Sequence, residues 1–277
     1  MHELSDIHHY LRWKKRFPTV WCPGCGIGSV MGAIIRGISD LGIPKDEIAF
    51  VSGIGCTGRM PVYLDFNTMH TTHGRAIPFA TGIKMHKPEM KVIVASGDGD
   101  CLAIGGNHFI HAARRNIGIT LILVNNGIYG MTGGQVAPTT PIGAVTHTMP
   151  YGNYEVPFDA VKMALAAGAT FAARSTVHAI VQTTSYIKKA IMHRGFSLVE
   201  IMSQCPVQYG RLNSMDDPKK MLQMQKEKSV TLAASRGMTE EELKDKIITG
   251  IFLEKKSAEY SEKYREYIKI LDEREGD

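Results

Sequence analysis

No run of about eighteen uncharged apolar residues occurs in this chain of 277 residues, so a membrane-spanning helix is not expected. The opening stretch HELSDIHHYLRWKK lacks the apolar core of a secretory leader, and the expected location is the cytoplasm. The net charge is only +5, without the density of basic residues that a nucleic-acid groove needs; an acidic partner or an anionic ligand stays open. Internal repeats and low-complexity linkers are missing too. With 44% hydrophobic residues, the chain has the means to bury one large α/β core. Cysteine is scarce, at five residues. In a reducing compartment these are seldom paired, which leaves metal binding, redox chemistry or plain burial as their uses.

What is present is a regular alternation. Short runs rich in Val and Ile at 48–52, 92–96, 119–124, 169–173 and 197–202 predict strands buried on both faces. Segments with helical spacing at 27–40, 74–86, 103–115, 157–167 and 176–193 lie between them. The pattern predicts a doubly wound, mostly parallel sheet flanked by helices over residues 1–214. From about 215 the composition turns to Lys, Glu, Gln and Met, as in KKMLQMQKEKS, and predicts a charged helical C-terminal extension over 215–277. Ligands of an open parallel sheet gather outside the carboxyl ends of its strands. Cys56, Asp98, Asn126 and Cys205 each follow a predicted strand, so all four are expected at that edge.

After the second predicted strand the chain reads SGDGDCLAIGGNH, and after the third NNGIYGMTGGQ. The glycines of GDGD let backbone approach a ligand, and the helix that follows offers free N–H groups to an anion. If the two strands are neighbours, Asp98 and Asn126 converge on one hard cation, which takes oxygen ligands and commonly grips a phosphate as well. Each half alone is an ordinary turn signal. Together, at this separation, they resemble the GDG…NN motif of enzymes that bind thiamine diphosphate with magnesium, and so imply the thiamine diphosphate-binding fold. By that resemblance Asp98 and Asn126 hold Mg2+ through side-chain oxygens and Ile128 through its main-chain carbonyl. Gly97, Gly99 and Asp100 then lie near the diphosphate.

The cysteines are Cys22, Cys25, Cys56, Cys101 and Cys205. WCPGCG is a C-x-x-C hairpin, which alone leaves zinc, a redox dithiol and an iron–sulfur cluster open. With Cys56 and Cys205 it makes four thiolates, enough for a tetrahedral zinc or a [4Fe–4S] cluster. The coenzyme favours the cluster, since zinc beside thiamine diphosphate has no redox role. At this point WCPGCG, GIGCTGR, TTHGRAIPFATGIK, GDGDCLAIGGNH, NNGIYGMTGGQ and CPVQYGRLN together resemble the β subunits of 2-oxoacid:ferredoxin oxidoreductases over roughly residues 15 to 215, with the 2-oxoglutarate type nearest. The resemblance implies Cys22, Cys25, Cys56 and Cys205 as [4Fe–4S] ligands. Cys101 has no counterpart among them and is expected to pack near the coenzyme.

A 2-oxoacid carries a carboxylate beside its reactive carbonyl. Arg59, three residues beyond Cys56, is expected to offer it a planar fork. His73 is expected to contact the diphosphate or relay protons, and Thr132 and Gln135 to donate to diphosphate or substrate. Arg75, Arg211 and Asn213 read as structural, and the fifteen methionines as core filler. A glutamate for the aminopyrimidine ring is missing: Glu89 and Glu155 sit in no recognisable motif. The resemblance implies that an α subunit supplies it along with much of the substrate pocket, in an α2β2 heterotetramer. The expected reaction is decarboxylation of a 2-oxoacid, 2-oxoglutarate foremost, to an acyl group on coenzyme A and CO2, with electrons passed to ferredoxin. Pyruvate as substrate, a non-redox thiamine enzyme with a structural zinc, and an electron carrier or sensor on the same scaffold are the rival readings.

Overall fold

The computed structural model describes residues 4–12 and 17–275, so a few positions of the expected 1–214 unit and the last two of the 215–277 segment lie outside the described residues. Eight strands form one sheet: β1 (Ile48–Ser52), β2 (Asn67–His70), β3 (Lys91–Gly97), β4 (Ile119–Asn125), β5 (Phe171–Thr176), β6 (Ser197–Met202), β7 (Ser229–Thr231) and β8 (Ile247–Glu254). Their order is β2-β1-β3-β4-β6-β5-β8-β7. Neighbours run parallel except β5 and β8. Each residue of β1 and of β4 is buried, as strands covered on both faces require.

The sheet separates two cores, and period-two alternation assigns side chains to them. Phe50, Ile93 and Ala95 face a core filled by Ile34 and Ile38 of the helix Ile27–Leu41 and Ile187 of the helix Ile180–Met192. Val51, Val92 and Val94 face the other, with Ile77 of Ala76–His86, Phe109 of Gly106–Arg115 and Val161 of Ala160–Ala166. Burial of branched side chains on both sides gives the sheet its stability, at about 1.5–3 kcal/mol for each large apolar side chain fully removed from water.

The C-terminal segment corrects the expectation of a purely helical extension. β7 and β8 lie within it and continue the sheet, with β8 covering the edge of β5. The run IITGIFLE is β-branched enough for a strand, but it sits between charged stretches whose composition reads as helix. The segment also holds the helices Pro218–Lys228, capped by Asp217, and Tyr260–Glu275. No helix among the described residues is long and apolar enough to cross a membrane.

Candidate functional site

Adjacency of β3 and β4, with Gly97 opposite Val124, brings the GDGD turn and the NNG turn together at the carboxyl edge of the sheet. They share one small cavity of about 60 Å³ lined by Ile54, Cys56, His73, Asp98, Asn126, Ile128 and Thr132, among others. A larger cavity of about 920 Å³ opens among Asp46, Glu47, Glu89 and Met90. Those residues precede β1 and β3, so it belongs to the opposite edge and to none of the predicted site residues.

Asp98 is 2% exposed. Its Oδ2 accepts from Gly127 N at 2.8 Å and Thr139 Oγ1 at 2.5 Å, and both bonds use the same oxygen. Burial pushes its carboxyl up from 3.8 to about 6, against the lowering effect of Thr139 and of the Gly99 and Gly127 N–H groups. Both of these side-chain bonds fall on Oδ2, and Asp98 lines the cavity that Asn126 and Ile128 also line. Asn126 Oδ1 accepts from Ile128 N at 3.2 Å, which curls the turn so that both residues line the cavity. An all-oxygen set of carboxylate, amide and carbonyl suits a hard ion such as Mg2+ and fits the group implied by the motif. Asn125, by contrast, is structural. Its Nδ2 donates to the buried Glu200 at 2.8 Å, and Glu200 is held in turn by Arg174 Nε at 2.6 Å.

Asp100, two residues beyond Asp98, is spent on the protein. Its Oδ1 accepts from Ile54 N at 3.2 Å and Gly74 N at 2.7 Å, and its Oδ2 from Ser96 Oγ at 2.5 Å. His73 Nδ1 lies 2.9 Å from Oδ1, yet the ring is turned so that this buried atom makes no aligned hydrogen bond. The rest of the ring reaches the cavity, beside Tyr129 at 6.0 Å between centroids. Gly99 must be glycine for a steric reason: an added Cβ would stand 2.4 Å from the Tyr129 ring, whose hydroxyl donates to Gly99 O.

The cysteine loops converge on the same edge. Trp21 Nε1 donates to Cys56 O at 2.8 Å, joining the hairpin of Cys22 and Cys25 to the loop after β1. Gln204 Nε2 donates to Gly24 O at 3.0 Å and joins the same hairpin to the loop after β6 that carries Cys205. A Cβ placed on Gly130 would lie 3.5 Å from Cys56 Sγ and 3.7 Å from Cys205 Sγ, so the NNG turn packs between them. Burial pushes the Cys25 thiol up to about 12 and the Cys56 thiol up to about 11, and the neighbouring cysteines add to both. Cys25 therefore feels the other three cysteines of the set, and Cys56 feels Cys22 and Cys205. No three His, Cys, Asp or Glu side chains among the described residues close on a single ion.

The other predicted residues divide. Thr132 lines the cavity, but its hydroxyl donates to Gln135 Oε1 at 2.5 Å, so the two are partners of each other. Gly97 lines it as well. Cys101 does not: it is 3% exposed in the second core, and burial raises its thiol far above the usual range. Arg59 is half-buried on the short helical turn Thr57–Val62, with no side-chain hydrogen bond or ion pair among the described residues. Sequence reasoning missed Thr139, which sits in no motif, and Gln225. The latter donates to Gln204 Oε1 at 3.3 Å from the C-terminal segment and so steadies the cysteine loop.

A doubly wound sheet with paired glycine and asparagine turns at its carboxyl edge defines a thiamine diphosphate-binding domain. In agreement, the family model for the thiamine pyrophosphate enzyme C-terminal TPP-binding domain matches residues 53–201. The 2-oxoglutarate synthase subunit KorB of Methanocaldococcus jannaschii is 49% identical over 267 residues, 96% of this chain and 99% of that one. Its counterpart in Archaeoglobus fulgidus is 54% identical over 202 residues, 73% of this chain and 75% of that one. The solved 2-oxoglutarate:ferredoxin oxidoreductase from Magnetococcus marinus, with 2-oxoglutarate, coenzyme A and succinyl-CoA bound, matches with a TM-score of 0.86 at 32% identity, over 98% of this chain and 92% of that one. The chain belongs to the KorB subunits of 2-oxoglutarate synthase, within the 2-oxoacid:ferredoxin oxidoreductases.

Proposed function

We propose that this chain is the β subunit of a 2-oxoglutarate:ferredoxin oxidoreductase, which decarboxylates 2-oxoglutarate, transfers the acyl group to coenzyme A and delivers the electrons to ferredoxin. The observation that carries the reading is one cavity wall shared by Cys56 and the oxygen donors Asp98, Asn126 and Ile128. When bound, thiamine diphosphate supplies the electron sink for loss of CO2 and a [4Fe–4S] cluster takes up electrons singly. Asp98, Asn126 and the Ile128 carbonyl would hold Mg2+, and Cys22, Cys25, Cys56 and Cys205 the cluster. Cys25 feels Cys22, Cys56 and Cys205 electrostatically, which supports four thiols gathered at one place, and the redox chemistry of the coenzyme favours a cluster there over zinc. Arg59, three residues beyond Cys56 and with no side-chain hydrogen bond or ion pair among the described residues, would take a substrate carboxylate as a bidentate fork. His73 would place a ring nitrogen beside the diphosphate.

Among the described residues the carboxylates lining the cavity are Asp98 and Asp100, both hydrogen-bonded within the protein, which supports a glutamate brought by an α subunit. That partner would also enclose a coenzyme for which about 60 Å³ is too little, in an α2β2 assembly. The test is anaerobic co-purification of both subunits and assay of coenzyme A-dependent ferredoxin reduction with 2-oxoglutarate against pyruvate. Faster turnover with pyruvate overturns the substrate assignment. Cys56→Ala should remove the brown cluster colour and abolish ferredoxin reduction, and full turnover without Cys56 would falsify the electron path.

A further inference from the structure

We infer that Asp100 is a positioning residue that ties the loop carrying Cys56 to the turn that receives the coenzyme, so that the two keep one separation. The inference rests on the proposed function and deepens it. Asp100 is 4% exposed, and each of its protein donors comes from a different strand end: Ile54 N follows β1, Gly74 N follows β2 and Ser96 Oγ closes β3. The fit around it is close. A Cβ on Gly53 would stand 2.0 Å from Asp100 Oδ2, so the loop after β1 can approach only as glycine.

The tie continues outward in both directions. Cys56 lies two residues beyond Ile54, and its carbonyl accepts from Trp21 Nε1 at 2.8 Å, which carries the constraint to the Cys22 and Cys25 hairpin. On the other side, Asp100 belongs to the wide helical turn Gly99–Ile104 that follows Asp98 directly. The carboxylate is also the wrong charge for a direct diphosphate contact, since two anions at hydrogen-bond range repel. Three donor groups around one buried carboxylate instead make a rigid junction of charge-assisted bonds. A displacement of the coenzyme turn is then a displacement of the Cys56 loop.

The test uses the complete αβ enzyme, prepared anaerobically, as wild type, Asp100→Ala and Asp100→Asn. Two properties are read: dissociation of thiamine diphosphate with Mg2+ by calorimetry, and the electron paramagnetic resonance spectrum and air lability of the reduced cluster. Asp100→Ala is expected to weaken coenzyme binding by about 10–100-fold, as loss of outer-shell partners does, and to change the cluster signal although it touches no cysteine. Asp100→Asn keeps an oxygen for the two N–H groups and should restore most of both. Weaker coenzyme binding with an unchanged cluster signal overturns the inference in favour of a direct coenzyme contact, and no change in either overturns it outright. Should Asp100→Ala fail to fold, Ser96→Ala removes one donor and is judged by the same joint shift. A wild type with neither coenzyme binding nor a cluster signal sinks the proposed function and takes this inference with it.

Discussion

Asp98 shows how one buried carboxylate is supported by donors of the protein itself. Oδ2 is satisfied by Gly127 N and Thr139 Oγ1, so the charge has support from the protein itself, and under the proposed function Oδ1 would meet the cation. The cost is a carboxyl raised from 3.8 to about 6 by burial. Because the folded value lies above the unfolded one, protonation stabilises the metal-free fold; that stability is fully present below 3.8 and is lost as the pH rises through about 6. Wild type minus Asp98→Asn, followed by chemical denaturation between pH 4 and 8, should show this slope; a flat difference refutes the assignment. Cation affinity runs the other way and should weaken as the pH falls below about 6. Gly99→Ala would drive a methyl against the Tyr129 ring, so it should destabilise the protein by about 1–3 kcal/mol and weaken coenzyme binding. The double variant with Tyr129→Ala, measured by urea unfolding, should recover much of the clash energy.

Among elements, the helix Pro218–Lys228 matters most for the cysteines. Gln225 on that helix is 4% exposed, accepts from His178 N at 3.2 Å and donates to Gln204, which precedes Cys205 and holds Gly24 of the hairpin. Gln225→Ala leaves the buried Gln204 Oε1 without this donor and should cost about 1–3 kcal/mol. Because Gln204 braces two cysteine loops, loss of cluster absorbance on exposure to air should accelerate as well. Unchanged lability would mean that the loops stand without the helix. β8 has a different duty, pairing antiparallel with β5 and so closing what would otherwise be a bare strand edge.

At the scale of the whole molecule, the carboxyl edge of the sheet collects thiolates and hard oxygen donors on loops after β1, β3, β4 and β6. Under the proposed function this chain would line one side of the coenzyme, and the cavity carboxylates among the described residues, Asp98 and Asp100, are both hydrogen-bonded within the protein. Alone it should therefore give no 2-oxoacid-dependent ferredoxin reduction, and addition of the α subunit should restore it. Light scattering of the active species should return the mass of two copies of each subunit. Turnover by the isolated chain would show that the aminopyrimidine acid lies within these 277 residues after all.

Strands β1, β3, β4, β5 and β6, the helices between them and the residue types gathered at the edge were legible in the sequence, because apolar periodicity and paired motifs are local properties. IAFVS and ITLILVN read as doubly covered strands and form them. Asn67–His70 was not legible, since it is a mostly exposed edge strand without an apolar run, and β7 and β8 were hidden among charged neighbours. Division of labour among like residues was decided only by the tertiary structure. Asp98 and Asp100 stand two positions apart in one turn; one accepts on Oδ2 from Gly127 and Thr139 beside the NNG turn, and the other binds loops from three strand ends. Asn125 and Asn126 part in the same way, one toward Glu200 and one toward the cavity. The physical reason is that a polar side chain's role is set by which donors meet it. Those donors come from segments far away in the chain, which only folding brings within hydrogen-bond reach.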